Sequence, residues 1–238
     1  MRIAVITDIH AMHGALATAL SDARAEGFDV LLILGDLLTY GVDPAETLDL
    51  VQDAVARDGA ILVAGNHDQI YRDLDGGADG YLAALPDWLR ETVEWTAAAV
   101  PAHALARFDW AESWHHCALF AAHANPGSFG DWTYLTETTA DAAASTLRAR
   151  GYRYGIFGHT HRARRFDAHG VSLFTLGSLG QPRDDADRGL KWTMIDMDET
   201  GIRVSSRRVA FDRDAHCSAI RATTLSAATQ DRLCGFFA

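Results

Sequence analysis

Short apolar stretches alternate with segments of helical periodicity in the first third of the chain. Each stretch is rich in β-branched residues, which is typical of a buried strand. Helical spacing of apolar residues marks Ala15–Glu26, which Gly27 ends, and a second segment that starts at Pro44. Continuous apolar strands alternating with amphipathic helices predict a parallel sheet with both faces covered. The three predicted strands are Arg2–Thr7, Val30–Leu34 and Ala60–Ala64.

The second half of the chain also alternates between strand and helix patterns. A strand over Cys117–Ala122 precedes His123, a helix is predicted over Thr138–Arg150, and the strand Tyr154–Phe157 precedes Gly158 and His159. Phe211–Ala238 is typical of one or two terminal helices. Further strands are predicted over Arg164–Asp167, Ser172–Leu176, Lys191–Asp196 and Ile202–Arg208.

The segment from about residue 70 to residue 115 differs from its surroundings. It starts with a loose acidic stretch containing several glycines, and then becomes rich in alanine and tryptophan. This composition predicts a helical, cap-like insertion. Because no internal repeat or low-complexity linker interrupts the chain, we expect one domain over residues 1–238.

Composition narrows the classes of function. The chain has 238 residues, of which 48% are hydrophobic and 22% charged, as in soluble globular proteins. Its net charge of −11 argues against long nucleic acid or an anionic membrane as partner, but bound metal ions can reverse the local sign for a phosphate substrate. Three widely spaced cysteines, no signal peptide and no apolar run of about 20 residues predict a cytoplasmic protein. The sequence leaves open whether the chain forms a homo-oligomer.

Polar clusters follow five of the predicted strands. In α/β sheets, the carboxyl ends of parallel strands form the crevice in which ligands bind. The clusters that follow the first three strands must therefore converge. The five clusters are Asp8-Ile9-His10, Gly35-Asp36, Gly65-Asn66-His67-Asp68, His123 and Gly158-His159-Thr160-His161.

The residue types in these clusters suit metal ions. Asp8 and His10 can both reach one ion from a strand end, and His159 and His161 repeat that spacing. Asp36 can bridge two ions through its two carboxylate oxygens. Seven ligands are too many for one ion but suit two, a centre that polarises a phosphoryl group and activates water. The seven are Asp8, His10, Asp36, Asn66, His123, His159 and His161.

This series of motifs resembles the calcineurin-like metallophosphoesterase superfamily, and most closely its small bacterial and archaeal branch of YfcE-like phosphodiesterases. His123-Ala-Asn-Pro126, Gly177-Ser-Leu-Gly-Gln-Pro-Arg183 and Arg207-Arg208-Val-Ala-Phe-Asp212 resemble further segments of that branch. The resemblance implies an α/β fold, a four-layer α/β/β/α sandwich with a helical insertion and C-terminal helices.

The resemblance also implies a role for each site residue. Asp36 would belong to both metal sites, and a hydroxide bridging the two ions would attack phosphorus without a covalent intermediate. His67 would donate to a phosphate oxygen or protonate the leaving group, and Asp68 would orient His67. Ligands without thiolate suit Mn, Fe, Co, Ni or Zn, and we expect Mn or Fe, partly because relatives use them. One ion would be held by Asp8, His10, Asp36 and His161, and the other by Asp36, Asn66, His123 and His159.

We therefore expect a two-metal phosphoesterase that acts on small phosphodiesters or nucleotide-type substrates. The alternatives are a dinucleoside polyphosphate hydrolase, a protein serine/threonine phosphatase, a metal-dependent nuclease or a non-enzymatic scaffold of the same fold. A cap-like insertion disfavours a phosphoprotein substrate, the acidic charge disfavours a nuclease, and the complete ligand set disfavours a scaffold.

Several residues near the motifs allow two interpretations. Arg162, Arg164 and Arg165 could bind a second phosphate or a nucleotide, or could protect an edge strand from aggregation. Arg183 allows the same two interpretations, and Trp132 is the first candidate for stacking on a nucleobase.

Overall fold

The computed structural model describes residues 1–184 and 186–237 of the chain. These residues form two β-sheets and eight α-helices. In chain order the strands are β1 (Arg2–Ile6), β2 (Val30–Ile33), β3 (Ile61–Val63), β4 (Trp110–Ala111), β5 (Ser113–His116), β6 (Leu119–Ala122), β7 (Tyr154–Phe157), β8 (Arg164–Ala168), β9 (Val171–Thr175), β10 (Lys191–Asp198) and β11 (Gly201–Arg208). The helices are α1 (His13–Glu26), α2 (Pro44–Asp58), α3 (Asn66–Asp75), α4 (Gly80–Ala83), α5 (Asp87–Ala98), α6 (Ala140–Ala149), α7 (Arg213–Arg221) and α8 (Ala227–Gly235).

The first sheet has the strand order β11-β10-β1-β2-β3-β4. Strands β1, β2 and β3 are parallel, as the alternating strand and helix pattern predicts, and β4, which was not predicted, pairs parallel to β3. The prediction missed that this sheet is mixed. The hairpin of β10 and β11 adds to the free edge of β1 in antiparallel orientation, with Ala4 opposite Met194.

The second sheet has the order β5-β6-β7-β9-β8. Its central strands β6, β7 and β9 are parallel, while β5 and β8 lie antiparallel at the two edges. The carboxyl ends of β6 and β7 lie side by side, with Ala122 opposite Phe157. This pairing places the two histidine-bearing loops that follow these strands next to each other.

The alternating direction of side chains along each strand produces the layers of the fold. Successive side chains of a strand point to opposite faces, so Val5 packs between the sheets, whereas Ile6 packs with Leu16 and Leu20 of α1. On the other outer face, α6 packs Leu147 against the second sheet. Helices, two sheets and a further helix therefore form the predicted α/β/β/α sandwich. The layer between the sheets contains Ile3, Val5, Leu32, Leu34, Val63, Leu119, Ala121 and Ile156.

The segment around residues 70–115 is helical only in part. It contains α4, α5 and a short 3₁₀ helix over Ala104–Arg107, but it then returns to strands. Leu62 lies opposite Trp110 in the first sheet, and Ser113 lies opposite Ala122 in the second. The prediction of a helical segment is therefore wrong for β4, which pairs with the distant strand β3, and for β5, which forms a hairpin with the following strand β6. The single domain and the cap-like role stay predictions.

Of the one or two helices expected at the end of the chain, the structure has two, α7 and α8, and the side chains of Asp212 and Ser226 cap their N-termini. Within residues 1–184 and 186–237, no helix combines the length and the apolar character that crossing a membrane would require.

Candidate active site

The seven ligand candidates converge at one edge of the sandwich. Asp8 and Asp36 follow β1 and β2, and Asn66 starts α3 just after β3. The second sheet contributes the remaining histidines from the loops after β6 and β7. All seven side chains are buried, so protein groups surround them and fix their positions. The seven are Asp8, His10, Asp36, Asn66, His123, His159 and His161.

Four of these residues form a first donor group whose ligand atoms lie within 4.8 Å of one another. Nε2 of His161 lies 3.2 Å from Oδ1 of Asp8 and 3.3 Å from Nε2 of His10. Nε2 of His10 lies 3.8 Å from Oδ2 of Asp36. Two imidazoles and two carboxylates at these distances can surround one cation.

A second donor group comprises Asp36, His123 and His159. Nε2 of His123 lies 3.4 Å from Oδ2 of Asp36 and 3.2 Å from Oδ1 of Asn66, which adds the amide oxygen to this group. Asp36 belongs to both groups. Its Oδ2 atom is buried without a hydrogen-bond partner and faces Nε2 of His123 and of His10, at 3.4 and 3.8 Å, so it is free to bind a cation between these rings. The residues therefore fit two metal ions that share Asp36.

Five of the ligand residues have a left-handed backbone, which non-glycine residues rarely adopt. Such conformations cost on the order of 1–3 kcal/mol each and are found at functional sites. Here they turn consecutive loop side chains toward the donor groups. The φ angles are 54° for Asp8, 50° for His10, 57° for Asp36, 63° for His159 and 57° for His161.

Glycines let the loops approach each other closely. A Cβ atom on Gly65 would lie 2.9 Å from the ring of His123, and one on Gly158 would lie 2.8 Å from Oδ2 of Asp8. Both distances are below ordinary contact. The glycines seen in the sequence motifs therefore provide the space in which the ligands meet.

Backbone carbonyl groups orient the four histidine ligands. Nδ1 of His10 lies 2.9 Å from the carbonyl oxygen of Leu38, and Nδ1 of His161 lies 2.5 Å from that of Gln181. Nδ1 of His123 contacts the carbonyl oxygen of Leu34 in the same way. A carbonyl oxygen accepts only from N–H, so the Nδ1 atoms of these three rings carry a proton and the Nε2 atoms are the ones that can bind a metal.

His159 is oriented in the opposite sense. Its Nε2 atom lies 2.9 Å from the carbonyl oxygen of Trp132, which leaves Nδ1 for a metal. The ring is held further by Tyr134, whose ring stacks on it with a centroid distance of 4.5 Å and an interplanar angle of 22°.

The electrostatics of the metal-free groups favour ionised carboxylates. Burial alone would raise the pKa of Asp8, but the neighbouring His161 and His123 bring it well below its usual range. Burial opposes ionisation of Asp36 too, and His123 and His67 lower its pKa well below the ordinary value. Burial alone would lower the pKa of His123, but Asp36 and Asp8 raise it to about 10. Metal binding at this site must therefore displace a proton from His123.

The other histidine ligands stay neutral in the metal-free protein. Burial and the charge of His161 lower the pKa of His10 well below its usual value. Burial and His123 lower the pKa of His159 to about 4, and burial and Arg183 lower that of His161. Neutral imidazoles are the form that binds metal.

His67 is buried next to both donor groups. Its Nδ1 atom lies 3.0 Å from Oγ1 of Thr39 and its Nε2 atom 3.2 Å from the hydroxyl of Tyr40. The backbone N–H of His67 donates to Oδ1 of Asp36 at 2.8 Å. Burial lowers the pKa of His67 to about 4, so the free protein holds a neutral ring that can donate one hydrogen bond.

The predicted contact between Asp68 and the ring of His67 is wrong. The Asp68 carboxylate accepts hydrogen bonds from the backbone N–H groups of Asp36 (2.7 Å), Leu37 (3.0 Å) and Gly65 (2.8 Å). It therefore joins the loops after β2 and β3, and acts on His67 only through the backbone. Burial and Asp36 raise the pKa of Asp68 to about 6.

Sequence patterns did not single out Thr39 or Tyr40, and Gln181 entered only as part of the segment Gly177–Arg183. Thr39 and Tyr40 lie three and four residues after Asp36, and their φ angles are 76° and 69°. Trp132, the first candidate for stacking on a nucleobase, is half-buried, donates its indole N–H to Gln69 and lies edge-on to His123. Nothing in these contacts tests stacking, and the nearby Tyr134 is 47% exposed.

Known proteins share this fold and part of this sequence. Residues 1–200 match the calcineurin-like phosphoesterase superfamily domain. An uncharacterized protein of Methanocaldococcus jannaschii, MJ0912, is 27% identical over 233 residues, which cover 88% of each chain. The crystal structure of a metallophosphoesterase from Sphaerobacter thermophilus is 25% identical, covers 99% of this chain and 100% of its own, and has a TM-score of 0.74.

Hypothetical protein PH1004 of Pyrococcus horikoshii shares the fold with a TM-score of 0.81 at 17% identity, over 98% of this chain and 97% of its own. The family match spans all seven ligand candidates, His67 and Asp68. The resemblance noted in the sequence motifs is confirmed: the chain belongs to the calcineurin-like phosphoesterase superfamily.

Proposed function

We propose that the protein is a two-metal phosphodiesterase that hydrolyses small phosphodiesters or nucleotide-type substrates. The observation that carries this proposal is the position of Asp36, which belongs to both donor groups and whose buried Oδ2 atom has no hydrogen-bond partner. Membership of a phosphoesterase superfamily supports the hydrolysis of a phosphate ester. When bound, two such ions polarise a phosphoryl group and activate water for attack on phosphorus.

The protein's own side chains hold the ions, donate a hydrogen bond to the substrate and fix the loops of the site. The ionised carboxylates of Asp8 and Asp36 and four carbonyl-oriented imidazoles hold the ions in a fixed arrangement. His67 donates a hydrogen bond to a phosphoryl oxygen or to the leaving oxygen, because its ring is next to the donor groups without belonging to either. Asp68 fixes the two loops that present Asp36 and His67.

An aromatic wall beside His67 supports a small substrate. The ring of Tyr40 lies 5.0 Å from that of His67 and stacks on Trp88 of α5 at 5.9 Å. Phe236, next to α8, lies 6.5 Å from Tyr40 and 6.4 Å from Trp88. Elements from three parts of the chain thus narrow this side of the site, which favours a small ester over a phosphoprotein.

The metal ions and the compartment complete the proposal. Nitrogen and oxygen donors without thiolate favour Mn or Fe and also suit Zn, Ni or Co. The cysteines Cys117, Cys217 and Cys234 are free thiols, which supports a reducing compartment such as the cytoplasm.

Hydrolysis of bis-p-nitrophenyl phosphate and p-nitrophenyl phosphate, with added Mn²⁺, tests this function. We expect the diester to be cleaved by the wild type and at least a hundredfold more slowly by His67→Ala. Faster hydrolysis of the monoester p-nitrophenyl phosphate would show that the protein is a phosphatase and not a phosphodiesterase. No hydrolysis of either ester, with two ions bound, would favour the non-enzymatic scaffold.

A further inference from the structure

A cavity of about 300 Å³ adjoins the site on the side of Tyr134. Tyr134 has one face on the ring of the ligand His159 and also lines this cavity. Thr160, which lies between the ligands His159 and His161, is another lining residue. The cavity is therefore directly next to the second donor group, on the side of His159. Its volume is at the lower end of the range for small-molecule sites.

Two arginines give this cavity its charge. Arg162 and Arg183 both line it, and neither has a carboxylate partner among residues 1–184 and 186–237. The other charged lining groups, Arg164 and Glu137, have opposite signs, and Arg164 is also paired with Asp184 at 2.7 Å. In a chain of net charge −11, two guanidinium groups without acidic partners at one cavity indicate that an anion binds there.

Both arginines are held in place by the site itself. Nε and Nη2 of Arg183 donate to Oε1 of the buried Gln181, at 3.0 and 2.6 Å, and Nη1 donates to the hydroxyl of Tyr134 at 3.3 Å. The carbonyl oxygen of the same Gln181 orients the ligand His161. Nε of Arg162 donates to the carbonyl oxygen of Arg183 at 2.8 Å. The guanidinium groups therefore have a fixed position relative to the donor groups.

The geometry points to a subsite for a second phosphate, linked directly to the phosphate at the metal ligands. Arg162 and Arg183 bind this second phosphate, because guanidinium groups match phosphate oxygens in charge and shape. Leu135 and Phe166 line the same cavity and provide apolar surface for the carbon skeleton beyond the phosphate. The substrate class is thus a nucleotide with two or more linked phosphates. This inference rests on the proposed function and makes it narrower.

ADP and AMP differ by one phosphate and test the subsite as inhibitors of bis-p-nitrophenyl phosphate hydrolysis at fixed free Mn²⁺. We expect the inhibition constant of ADP to be at least tenfold lower than that of AMP in the wild type. In Arg162→Gln and in Arg183→Gln the two constants should become equal within about threefold. Arg165→Gln is the matched control, because Arg165 pairs with Asp167 and lines a different cavity. Its ratio should equal that of the wild type.

Equal inhibition by ADP and AMP in the wild type, or an unchanged ratio in Arg162→Gln and Arg183→Gln, would overturn the subsite. Calorimetric titration of the metal-loaded protein with ADP and with AMP keeps this test independent of turnover. If neither ester is hydrolysed, the proposed function fails, while a tenfold preference for ADP that is lost in Arg162→Gln still supports the subsite.

Discussion

Oδ1 of Asp36 accepts a hydrogen bond of 2.8 Å from the backbone N–H of His67, while its Oδ2 atom has no hydrogen-bond partner. One carboxylate thus positions the histidine that is not a ligand and belongs to both donor groups. Binding of metal and placement of His67 are therefore coupled through a single side chain. Four predictions follow the contacts around this pair and beyond it.

Asp36→Asn keeps the shape of the side chain but removes its charge and its capacity to bridge. We expect the content of metal to fall from two ions per chain to fewer than one, measured by elemental analysis after gel filtration. Asp49→Asn removes an exposed carboxylate, paired with Arg107, and should leave the metal content unchanged. Two ions retained by Asp36→Asn would contradict the bridging role.

His67→Asn should lower kcat for a phosphodiester by about 10²–10⁴, the usual effect of losing a positioned proton donor. Because His67 belongs to neither donor group, the variant should keep the metal content of the wild type. Steady-state kinetics and elemental analysis together check this expectation. A fall in kcat that merely follows a loss of metal would show that His67 acts on the metal site and not on the substrate.

Asp68→Ala should destabilise the protein, because three buried backbone N–H groups lose their acceptor. With about 1–3 kcal/mol for each unsatisfied donor, the free energy of unfolding should fall by about 3 kcal/mol or more. Urea unfolding measures this loss, and Asp73→Ala on the same helix α3 is the control. If Asp68 instead oriented the ring of His67, the main effect would be on kcat, with little change in stability.

His216 makes stability depend on pH. It is buried against Phe211 and Phe237, and burial lowers its pKa to about 4. The unfolded chain, with a pKa near 6.5, binds a proton between pH 6.5 and 4 that the folded chain excludes, so the free energy of unfolding falls as the pH decreases through this window. The loss attributable to His216 approaches about 3 kcal/mol at pH 4.

In His216→Leu, the free energy of unfolding should fall less between pH 6.5 and pH 4, because the contribution of His216 is removed. Chemical unfolding of both proteins at pH 7.5, 6, 5 and 4 gives the comparison, and the wild type minus variant difference cancels the contributions of the histidines at the active site. Parallel curves for the two proteins over this range would refute the assignment.

The convergence of the seven ligand candidates could be predicted because each follows a local signal, an apolar strand that ends in a polar cluster. Asp8, Asp36 and His159 are of this kind, and their convergence follows from the topology of parallel strands. The division of these candidates into two donor groups was implied by the family resemblance.

Other parts of the site depend on contacts between distant loops, which local patterns do not carry. Tyr134 meets His159, and Arg183 meets Tyr134 across 49 positions of the chain. The bonds of Asp68 to backbone N–H groups near residue 36 likewise exist only in the folded chain. The strands β4 and β5 were missed because two and four residues are too few to show a period of their own.

The donor groups are built from both sheets: Asp8, His10 and Asp36 come from loops of the first, and His123 and His159 from loops of the second. The apolar layer between the sheets therefore sets the distance between the ligand candidates on the first sheet and those on the second. Truncating Ile156 or Val5 in that layer would leave a cavity between the sheets, and we expect the sheets to shift to fill part of it. Such a shift would change the distance between the two donor groups, and with it the preference for one metal over another, without altering a candidate ligand.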